Sequence, residues 1–479
     1  MRQLLGAEEY ERFALSMEKE PAVSIRLNPL RAEAAGTHHL MPQGETLHQL
    51  ELLSLEDALP LQGVVPWCTS GYYLKERPLF TLQPLFHAGA YYVQEASSMF
   101  LEQVIKRYVT SGPVAMLDLC AAPGGKSTHA RAILPEGSLL VSNEVMKMRA
   151  QILVENLTKW GHPDVVVTRN DPADFAALEG MFDVLLTDVP CSGEGMFRKD
   201  EGAVADWSLE NVELCRQRQQ RILADVWPAL KPGGLLIYST CTYNIYEDEA
   251  NVEWICRELG AEVLPLDLDA SWGITGNLLP GAHFPVARFL PHRTKGEGLF
   301  MAALRKSGSP MECAVGRKGR RGSSSSAAND KELRRLLSRQ QEEQLHAWLH
   351  DAESQYALLP QGDRLLAFPQ RWLPLLQQLK EHLYLLQAGV GLAEVKGRDL
   401  NPCHALAMSR LLCRGVFPEV EVEREQALSY LRREVLQLPS DTPRGFVLIT
   451  HQGIPLGFVK HLGTRANNLY PQEWRIRNL

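Results

Sequence analysis

The sequence lacks several features that define particular classes of protein. No apolar run is long enough to cross a bilayer, and the N-terminus turns acidic at Glu8 and Glu9 without an apolar signal core. The nine cysteines form no CxxC pair and no zinc-spaced Cys/His cluster, and their odd number argues for reduced thiols. The net charge of −7 excludes an overall basic surface, so any nucleic-acid-binding surface must be a local basic patch. We therefore expect a cytoplasmic protein with no membrane contact, metal site or structural disulfide.

The middle of the chain alternates regularly between strand and helix patterns. Apolar runs predict strands at 114–119, 139–143, 165–168, 184–187 and 235–238, with weaker ones at 261–265 and 299–304. Helical stretches separate them, including 145–160 and 209–230. This alternation predicts an α/β fold whose mainly parallel, doubly wound sheet has seven strands.

The flanking regions predict a five-part chain of 479 residues. We expect an α+β N-terminal domain at 1–105, the α/β domain at 106–306, a flexible basic linker at 307–329, a helical and mixed connecting domain at 330–400 and a small β-rich domain at 401–479. Arg26 and Arg31 lie around a short N-terminal strand, where they either face solvent or contact phosphate.

A glycine turn after the first strand of the α/β domain predicts a cofactor site. The turn is Cys120-Ala121-Ala122-Pro123-Gly124-Gly125-Lys126, which meets neither the P-loop pattern nor GxGxxG, so it disfavours nucleoside triphosphates and NAD. Glu144 ends the second strand, where a carboxylate suits ribose hydroxyls. Asn170 and Asp171 end the third strand and suit an adenine edge. Together these residues suit a ligand that contains a nucleoside but no phosphates, such as S-adenosylmethionine. Taken singly, each of them is also an ordinary helix-cap or turn residue.

Two cysteines follow neighbouring strands of the predicted sheet. The fourth strand leads into Asp188-Val189-Pro190-Cys191-Ser192-Gly193 and the fifth into Ser239-Thr240-Cys241-Thr242. A lone buried cysteine is usually a small apolar residue, but two thiols beside a carboxylate suit methylation of pyrimidine C5. One thiolate adds to C6, Asp188 stabilises charge at the N3 side, and the second thiol assists release. Chemistry alone does not decide which cysteine is the nucleophile.

These motifs resemble those of the Sun-type (Fmu-like) RNA 5-methylcytosine methyltransferases. The resemblance rests on 118–126, 188–193 and 239–242, on Arg26-Leu27-Asn28 and 94–99, and on 288–298. It implies a Rossmann-like class I methyltransferase domain in which Cys241 is the nucleophile and Cys191 aids product release. It further implies that Lys126 and Asp188 lie close to the base, and that Arg149 supports the site. The residues implied to contact S-adenosylmethionine are Cys120, Ala121, Ala122, Pro123, Gly124, Gly125, Lys126, Glu144, Asp171 and Asp188.

The C-terminal third is similar to the extension of the bacterial ribosomal RNA small-subunit methyltransferases of the F family. The similar segments are 391–398, 402–407, 453–460 and 468–471. The resemblance implies a PUA-like RNA-binding module, with 16S ribosomal RNA or the small subunit as partner. A single predicted active site suggests a monomer. Two alternatives stay open: a transfer RNA 5-methylcytosine methyltransferase, and a non-catalytic ribosome-assembly factor. The added segments disfavour a small-molecule methyltransferase.

Overall fold

A computed structural model of the chain describes residues 1–34, 59–308, 333, 335–350 and 355–477. Most of the predicted basic linker, from 309 onward, lies outside the described residues. Among the residues described, no helix is both long and apolar enough to cross a membrane.

The N-terminal region forms a small antiparallel sheet in the order β2-β3-β1-β4. Its strands are β1 (Val23–Leu27), β2 (Leu61–Val64), β3 (Gly71–Leu74) and β4 (Tyr91–Val93). The helices of this region are α1 (Arg2–Leu5), α2 (Ala7–Met17), α3 (Pro29–Ala34) and α4 (Pro84–His87).

The central region is the predicted α/β domain. Its strands are β5 (Ala115–Asp118), β6 (Leu139–Asn143), β7 (Val165–Thr168), β8 (Phe182–Asp188), β9 (Leu230–Thr240), β10 (Ala261–Val263), β11 (Ala287–Phe289) and β12 (Leu299–Lys306). Its helices are α5 (Leu101–Tyr108), α6 (Gly125–Ile133), α7 (Lys147–Trp160), α8 (Glu201–Asp206), α9 (Leu209–Val226) and α10 (Glu249–Leu259).

The C-terminal region adds two small sheets and several helices. Its strands are β13 (Tyr356–Gln361), β14 (Arg364–Pro369), β15 (Leu385–Ala388), β16 (Val390–Lys396), β17 (Asp399–Pro402), β18 (Glu419–Glu421), β19 (Gly445–His451), β20 (Ile454–His461) and β21 (Ala466–Asn468). Its helices are α11 (Arg339–Ala347), α12 (Leu373–His382), α13 (His404–Met408) and α14 (Arg424–Leu431). Short 3-10 turns occur at Phe80–Leu82, Ser97–Phe100, Pro172–Ala177, Glu194–Met196, Trp227–Ala229, Ala270–Trp272, Gln370–Trp372 and Gln472–Trp474.

The central sheet has the order β10-β12-β9-β8-β5-β6-β7-β15, with β11 paired to β12. Strands β5 to β9 pair in parallel, and every residue of β5, β6 and β7 is buried, which explains their nearly continuous apolar runs. The chain winds outward from β5 to β7 and then returns to β8 on the other side. This reversal leaves a crevice at the carboxyl ends of β5 and β8, where ligands bind in such sheets.

The two faces of the sheet bury alternate residues. On one face Leu117 and Leu185 pack with α9 and α10, and on the other Met116 and Leu186 pack with α5, α6 and α7. The predicted α/β class and its seven strands are confirmed. Two further strands, β11 and β15, extend the sheet, so that nine are present among the described residues.

Strand β15 attaches the C-terminal region to the central sheet. It pairs antiparallel with β7, and the side chain of Asn170 accepts from Tyr384 N at 2.9 Å and donates to Tyr384 O at 3.2 Å. The expectation that Asn170 faces an adenine edge is therefore wrong, because both ends of its amide are bound to this backbone.

Arg26 and Arg31 are buried between domains, so both predicted alternatives, solvent exposure and phosphate contact, are wrong. Arg26 donates to Gln94 Oε1 at 2.7 Å and to Thr128 Oγ1 at 2.6 Å. Arg31 donates to the backbone oxygens of residues 159 and 408, at 2.8 and 2.7 Å. Burial lowers the pKa of each guanidinium to about 10, so both remain charged near neutral pH.

Candidate active site

A cavity of about 360 Å³ occupies the crevice at the ends of β5 and β8. Eight of the predicted site residues line it: Cys120, Ala121, Ala122, Pro123, Gly125, Lys126, Asp188 and Cys241. Residues outside the predicted set complete the wall, including Tyr92, Asp118, Met196 and Lys199. The structure therefore places much of the predicted set around one space.

The glycine turn is held from outside by helix α7. Gly124 has φ +114°, a left-handed conformation that favours glycine, and helix α6 begins at the next residue. Arg149 donates to Ala122 O at 2.7 Å, and Asn156 donates to Pro123 O at 2.8 Å. These bonds fix the turn and leave its inner side to the cavity.

Asp118 presents a free carboxylate oxygen beside this turn. Ser127 donates to its Oδ2 at 2.6 Å, whereas its buried Oδ1 has no hydrogen-bond partner among the described residues. Burial raises the pKa of this carboxyl to about 7. An unpaired acceptor next to a turn lined by small residues fits a ligand that carries a cationic amine, and S-adenosylmethionine is such a ligand.

The two predicted nucleoside-binding carboxylates lie in different surroundings. Glu144 is buried, accepts from Met146 N at 2.9 Å and lies 3.4 Å from the guanidinium of Arg149. Asp171 is exposed and caps a 3-10 turn, accepting from Ala173 N at 3.1 Å. The structure does not bring Asp171 to the described wall of the cavity, and its contact with the cofactor stays a prediction.

Lys126 and Asp188 form an ion pair inside the cavity, with Nζ and Oδ2 2.8 Å apart. Ser239, at the end of β9, donates to the other carboxylate oxygen at 2.8 Å. Burial alone would lower the pKa of the Lys126 ammonium, but Asp188 outweighs that effect and raises it. The pair therefore presents a fixed hydrogen-bonding edge rather than a mobile base.

The two predicted catalytic cysteines meet at the adjacent ends of β8 and β9. Their sulfur atoms lie 3.2 Å apart, and both are free thiols. Cys241 lines the cavity, whereas Cys191 is not among the lining residues described. The hydrogen bond with Cys241, together with burial, raises the pKa of the Cys191 thiol well above its usual value. Cys191 is thereby kept protonated beside the Cys241 sulfur.

Two buried glutamates that the sequence reasoning missed hold these cysteine loops together. Glu194 accepts from Thr242 Oγ1 and from Tyr243 N, both at 2.7 Å. Glu247 accepts from Ser192 N at 3.0 Å and from Gln219 Nε2 at 2.7 Å. A signal was present, because each glutamate lies within six residues of a predicted cysteine, but an acidic residue in a polar loop normally indicates exposure.

The motif at 288–298 supports the same loops. Arg288 is fully buried, donates to Tyr243 O at 2.6 Å and pairs with Glu249 at 2.5 Å. Glu297 pairs with Arg198 at 2.9 Å, and its backbone N–H donates to Glu95 at 2.9 Å. Within the described residues, the motif at 288–298 therefore stabilises the wall of the cavity through these contacts.

Comparisons with known proteins identify the family. Three family profiles match in order along the chain: the N-terminal domain of 16S rRNA methyltransferase RsmF at 1–96, 16S rRNA methyltransferase RsmB/F at 111–305, and the methyltransferase RsmF PUA domain at 417–476. Ribosomal RNA small subunit methyltransferase F of Aeromonas hydrophila is 30% identical over 97% of this chain and 93% of its own. The chain belongs to the ribosomal RNA small subunit methyltransferase F family.

Other relatives agree with this assignment. The methyltransferase F of Klebsiella pneumoniae is 31% identical over 85% of this chain and 84% of its own. A solved methyltransferase homologue from Pyrococcus horikoshii is 26% identical with a TM-score of 0.51, covering 63% of this chain and 92% of that one. NSun6 of the same organism, solved with SFG, an analogue of S-adenosylmethionine, shares the fold at 19% identity and a TM-score of 0.51, covering 64% and 97%.

Membership of the methyltransferase F family confirms several predictions. The resemblance, the Rossmann-like methyltransferase fold, the C-terminal PUA domain and S-adenosylmethionine as cofactor are all borne out. The family is one of RNA methyltransferases. The methylated atom, the covalent mechanism and the roles of individual residues require a proposal.

Proposed function

We propose that this chain methylates C5 of a cytosine in RNA, with 16S ribosomal RNA as the substrate, through a covalent bond between Cys241 and C6. The single observation that carries the proposal is the convergence of Cys191 and Cys241, 3.2 Å apart, beside the Lys126–Asp188 pair. C5 of cytosine is a poor nucleophile, and addition of a thiolate to C6 converts it into an enamine-like carbon that can attack a sulfonium methyl group.

Cys241 is the nucleophile in this proposal because its residue lines the cavity. Its thiolate forms the C–S bond at C6, and the ring electrons move toward C5 and N3. The protonated Cys191 thiol donates a hydrogen bond to the Cys241 sulfur, which stabilises the thiolate before addition and again when the C–S bond breaks. S-adenosylmethionine supplies the methyl group that C5 accepts.

Lys126 and Asp188 hold the edge of the base. Their ion pair lies at the cavity wall and can hydrogen-bond to N3 and the exocyclic amine, where charge develops during addition. After methylation the C5 proton passes to a water molecule, since Cys191 is already protonated, the C5–C6 double bond re-forms, and the Cys241 thiolate leaves. The target must be flipped out or single-stranded, because C6 is not accessible in a stacked helix.

The remaining predicted features belong to the same proposal. The glycine turn, Glu144 and Arg149 hold the cofactor, with Asp171 as a further contact. The domain limits at 105, 306 and 329 separate substrate positioning, catalysis, tether and connection. The limit at 400 falls within β17 (Asp399–Pro402), so the connecting region extends to the end of that strand before the RNA-binding domain begins. The proposal takes a single chain as the active unit.

The test combines a methyl-transfer assay with mapping of the modified base. We expect transfer from labelled S-adenosylmethionine to small-subunit RNA, bisulfite protection of cytosine in that RNA, and no transfer with Cys241→Ser. Cys256→Ser is the matched control, since that thiol lies on α10, outside the residues that line the cavity. Bisulfite protection of cytosine in transfer RNA but not in small-subunit RNA would show that transfer RNA is the substrate. Methylation of neither RNA would favour a non-catalytic assembly factor.

A further inference from the structure

A second cavity, larger than the catalytic one, lies where three parts of the chain meet. Its volume is about 570 Å³, and we call it the C-terminal cleft. Helix α7, strands β14 to β17 and the PUA-type sheet of β18 to β21 all contribute to its wall.

The rim of the cleft carries an excess of positive charge. Arg364 and Lys396 share a single carboxylate, Glu394, at 3.0 and 3.2 Å, and their side chains are 60% and 62% exposed. Lys460 lies 5.0 Å over the ring of Phe446 and has no ion pair among the described residues. His404 also lines the cleft, but burial lowers its pKa to about 3, so it is neutral near pH 7. Three cations therefore face one carboxylate.

The floor of the cleft is apolar and partly aromatic. Phe446 and Trp474 line it, and Leu469 remains 37% exposed there. The amide side chains of Gln361 and Asn401 add donors and acceptors beside these surfaces. Aromatic faces for stacking, cations for phosphates and amides for base edges are the combination by which proteins bind single-stranded nucleic acid.

Helix α7 connects the cleft with the methyltransferase site. Val154 and Thr158 face the cleft, whereas Asn156, between them in sequence, points the other way and donates to Pro123 O of the glycine turn. Helix α7, which is about 10 Å across, and the glycine turn that it holds therefore lie between the cleft and the catalytic cavity.

We propose that the C-terminal cleft binds a short single-stranded segment of the RNA substrate. A base packs against Phe446 or Trp474 on the ring face that Lys460 or Lys159 does not cover, and Arg364, Lys396 and Lys460 hold the phosphates. The inference rests on the proposed function only in taking RNA as the substrate. In this inference the RNA is positioned relative to the catalytic cavity by residues at the junction of the domains and not by the PUA-type sheet alone.

The test measures binding of a fluorescent single-stranded RNA octamer to the full chain. We expect the triple variant Arg364→Gln, Lys396→Gln, Lys460→Gln to bind about tenfold more weakly at 0.1 M salt. The slope of log affinity against log salt concentration should also become shallower by about 2, because each phosphate contact contributes about 0.7 to that slope for a single strand. The matched control is Lys75→Gln, Arg257→Gln, Arg339→Gln, three exposed cations elsewhere, which should bind normally.

A second measurement does not depend on substitutions in the cleft. RNA containing 4-thiouridine should crosslink under ultraviolet light to the peptides that carry Phe446 or Trp474. Unchanged affinity and slope in the triple variant, or crosslinks elsewhere, would overturn the inference. So would weaker binding to assembled subunits with normal binding to naked RNA, since that pattern indicates a protein occupant.

The two proposals fail in different ways. If the cleft inference is wrong, Cys241→Ser still abolishes methyl transfer while the triple variant binds RNA normally. If the catalytic proposal is wrong, RNA affinity still depends on the three cations while Cys241→Ser remains active.

Discussion

The sulfur atoms of Cys191 and Cys241 lie 3.2 Å apart, although 50 residues separate them in the sequence. Each follows the carboxyl end of one of two neighbouring parallel strands, β8 and β9, so the register of the sheet sets their distance. The buried glutamates Glu194 and Glu247 then bind each loop to the other. The proximity of the thiols is thus a property of the fold and not of a flexible loop.

The Lys126–Asp188 ion pair should matter for rate more than for folding. Lys126→Met should lower kcat by about 10² to 10³, the usual range for removing a donor that stabilises transition-state charge. Steady-state kinetics with saturating RNA would measure it. Lys231→Met is the matched control, because it breaks the Lys231–Asp183 pair, which lies 2.5 Å apart outside the described cavity wall. Equal losses in both variants would contradict the role.

Binding of S-adenosylmethionine should depend on pH through Asp118, whose pKa is raised to about 7 by burial. Below that pH the carboxyl is neutral and cannot attract a cationic amine, so the affinity should fall by up to about tenfold per pH unit. Calorimetric titration from pH 8 to 6 measures this. Asp118→Asn should remove the dependence, whereas Asp206→Asn, at an exposed site, should keep it.

Asp118 should also make the stability of the cofactor-free protein depend on pH, and in the opposite direction to the affinity for the cofactor. The folded pKa of Asp118 lies above its unfolded value of 3.8, so folding binds a proton between about pH 4 and 7. The stability contribution of the protonated carboxyl is therefore lost as the pH rises through this window. Asp118→Asn should flatten that part of the stability profile, and a parallel profile in both proteins would refute the assignment.

Gly195 lies against the backbone of Cys241, the proposed nucleophile. A Cβ at this position would be 2.8 Å from Cys241 O and 2.9 Å from Gly298 O, so Gly195→Ala must push these segments apart. We expect at least about a tenfold loss in kcat, because small displacements of a catalytic group are costly. Gly276→Ala, where a Cβ meets nothing within 4 Å, should have wild-type activity. Full activity of Gly195→Ala would show that the loop tolerates movement.

Arg26 should contribute to stability and not to RNA binding. Arg26→Met leaves Gln94 and Thr128 without their buried partner, and the loss of charged hydrogen bonds should lower the unfolding free energy by about 2–3 kcal/mol. Urea denaturation provides the measurement. Arg77→Met is the control, since Arg77 is exposed and its guanidinium lies 5.5 Å over Phe80. A change in RNA affinity without a change in stability would restore the phosphate-contact interpretation.

Local sequence patterns predicted the central sheet and the convergence of the residues to which we assign catalytic roles. Apolar runs such as 139–143 are decisive when both faces of a strand are buried, and polar residues at strand ends then share one edge. The convergence of Asp188, Cys191 and Cys241 followed from that rule, whereas the placement of Lys126 near them rested on the resemblance to the Sun-type family. This rule uses only short sequence segments and the usual strand order of such sheets.

Long-range partners were not predictable in this way. Arg26 is buried because Gln94 and Thr128 pair with it, and nothing within its own strand indicates those partners. Strand β15 joins β7 across more than 200 residues, bound by Asn170, whose position at a strand end favoured a ligand contact instead. Asp171 is an N-cap, the ordinary role of an aspartate before a helical turn, and its contact with the cofactor stays a prediction.

The most direct test of the central claim is to trap the bond between Cys241 and the base. Cys191→Ala, incubated with S-adenosylmethionine and small-subunit RNA, should accumulate a protein–RNA complex that survives denaturation, because the thiol that assists release is gone. Peptide mass spectrometry should place the nucleotide on Cys241, and the double variant Cys191→Ala, Cys241→Ser should form no complex. A nucleotide attached to any other residue, or methylation by Cys241→Ser without an adduct, would contradict the account.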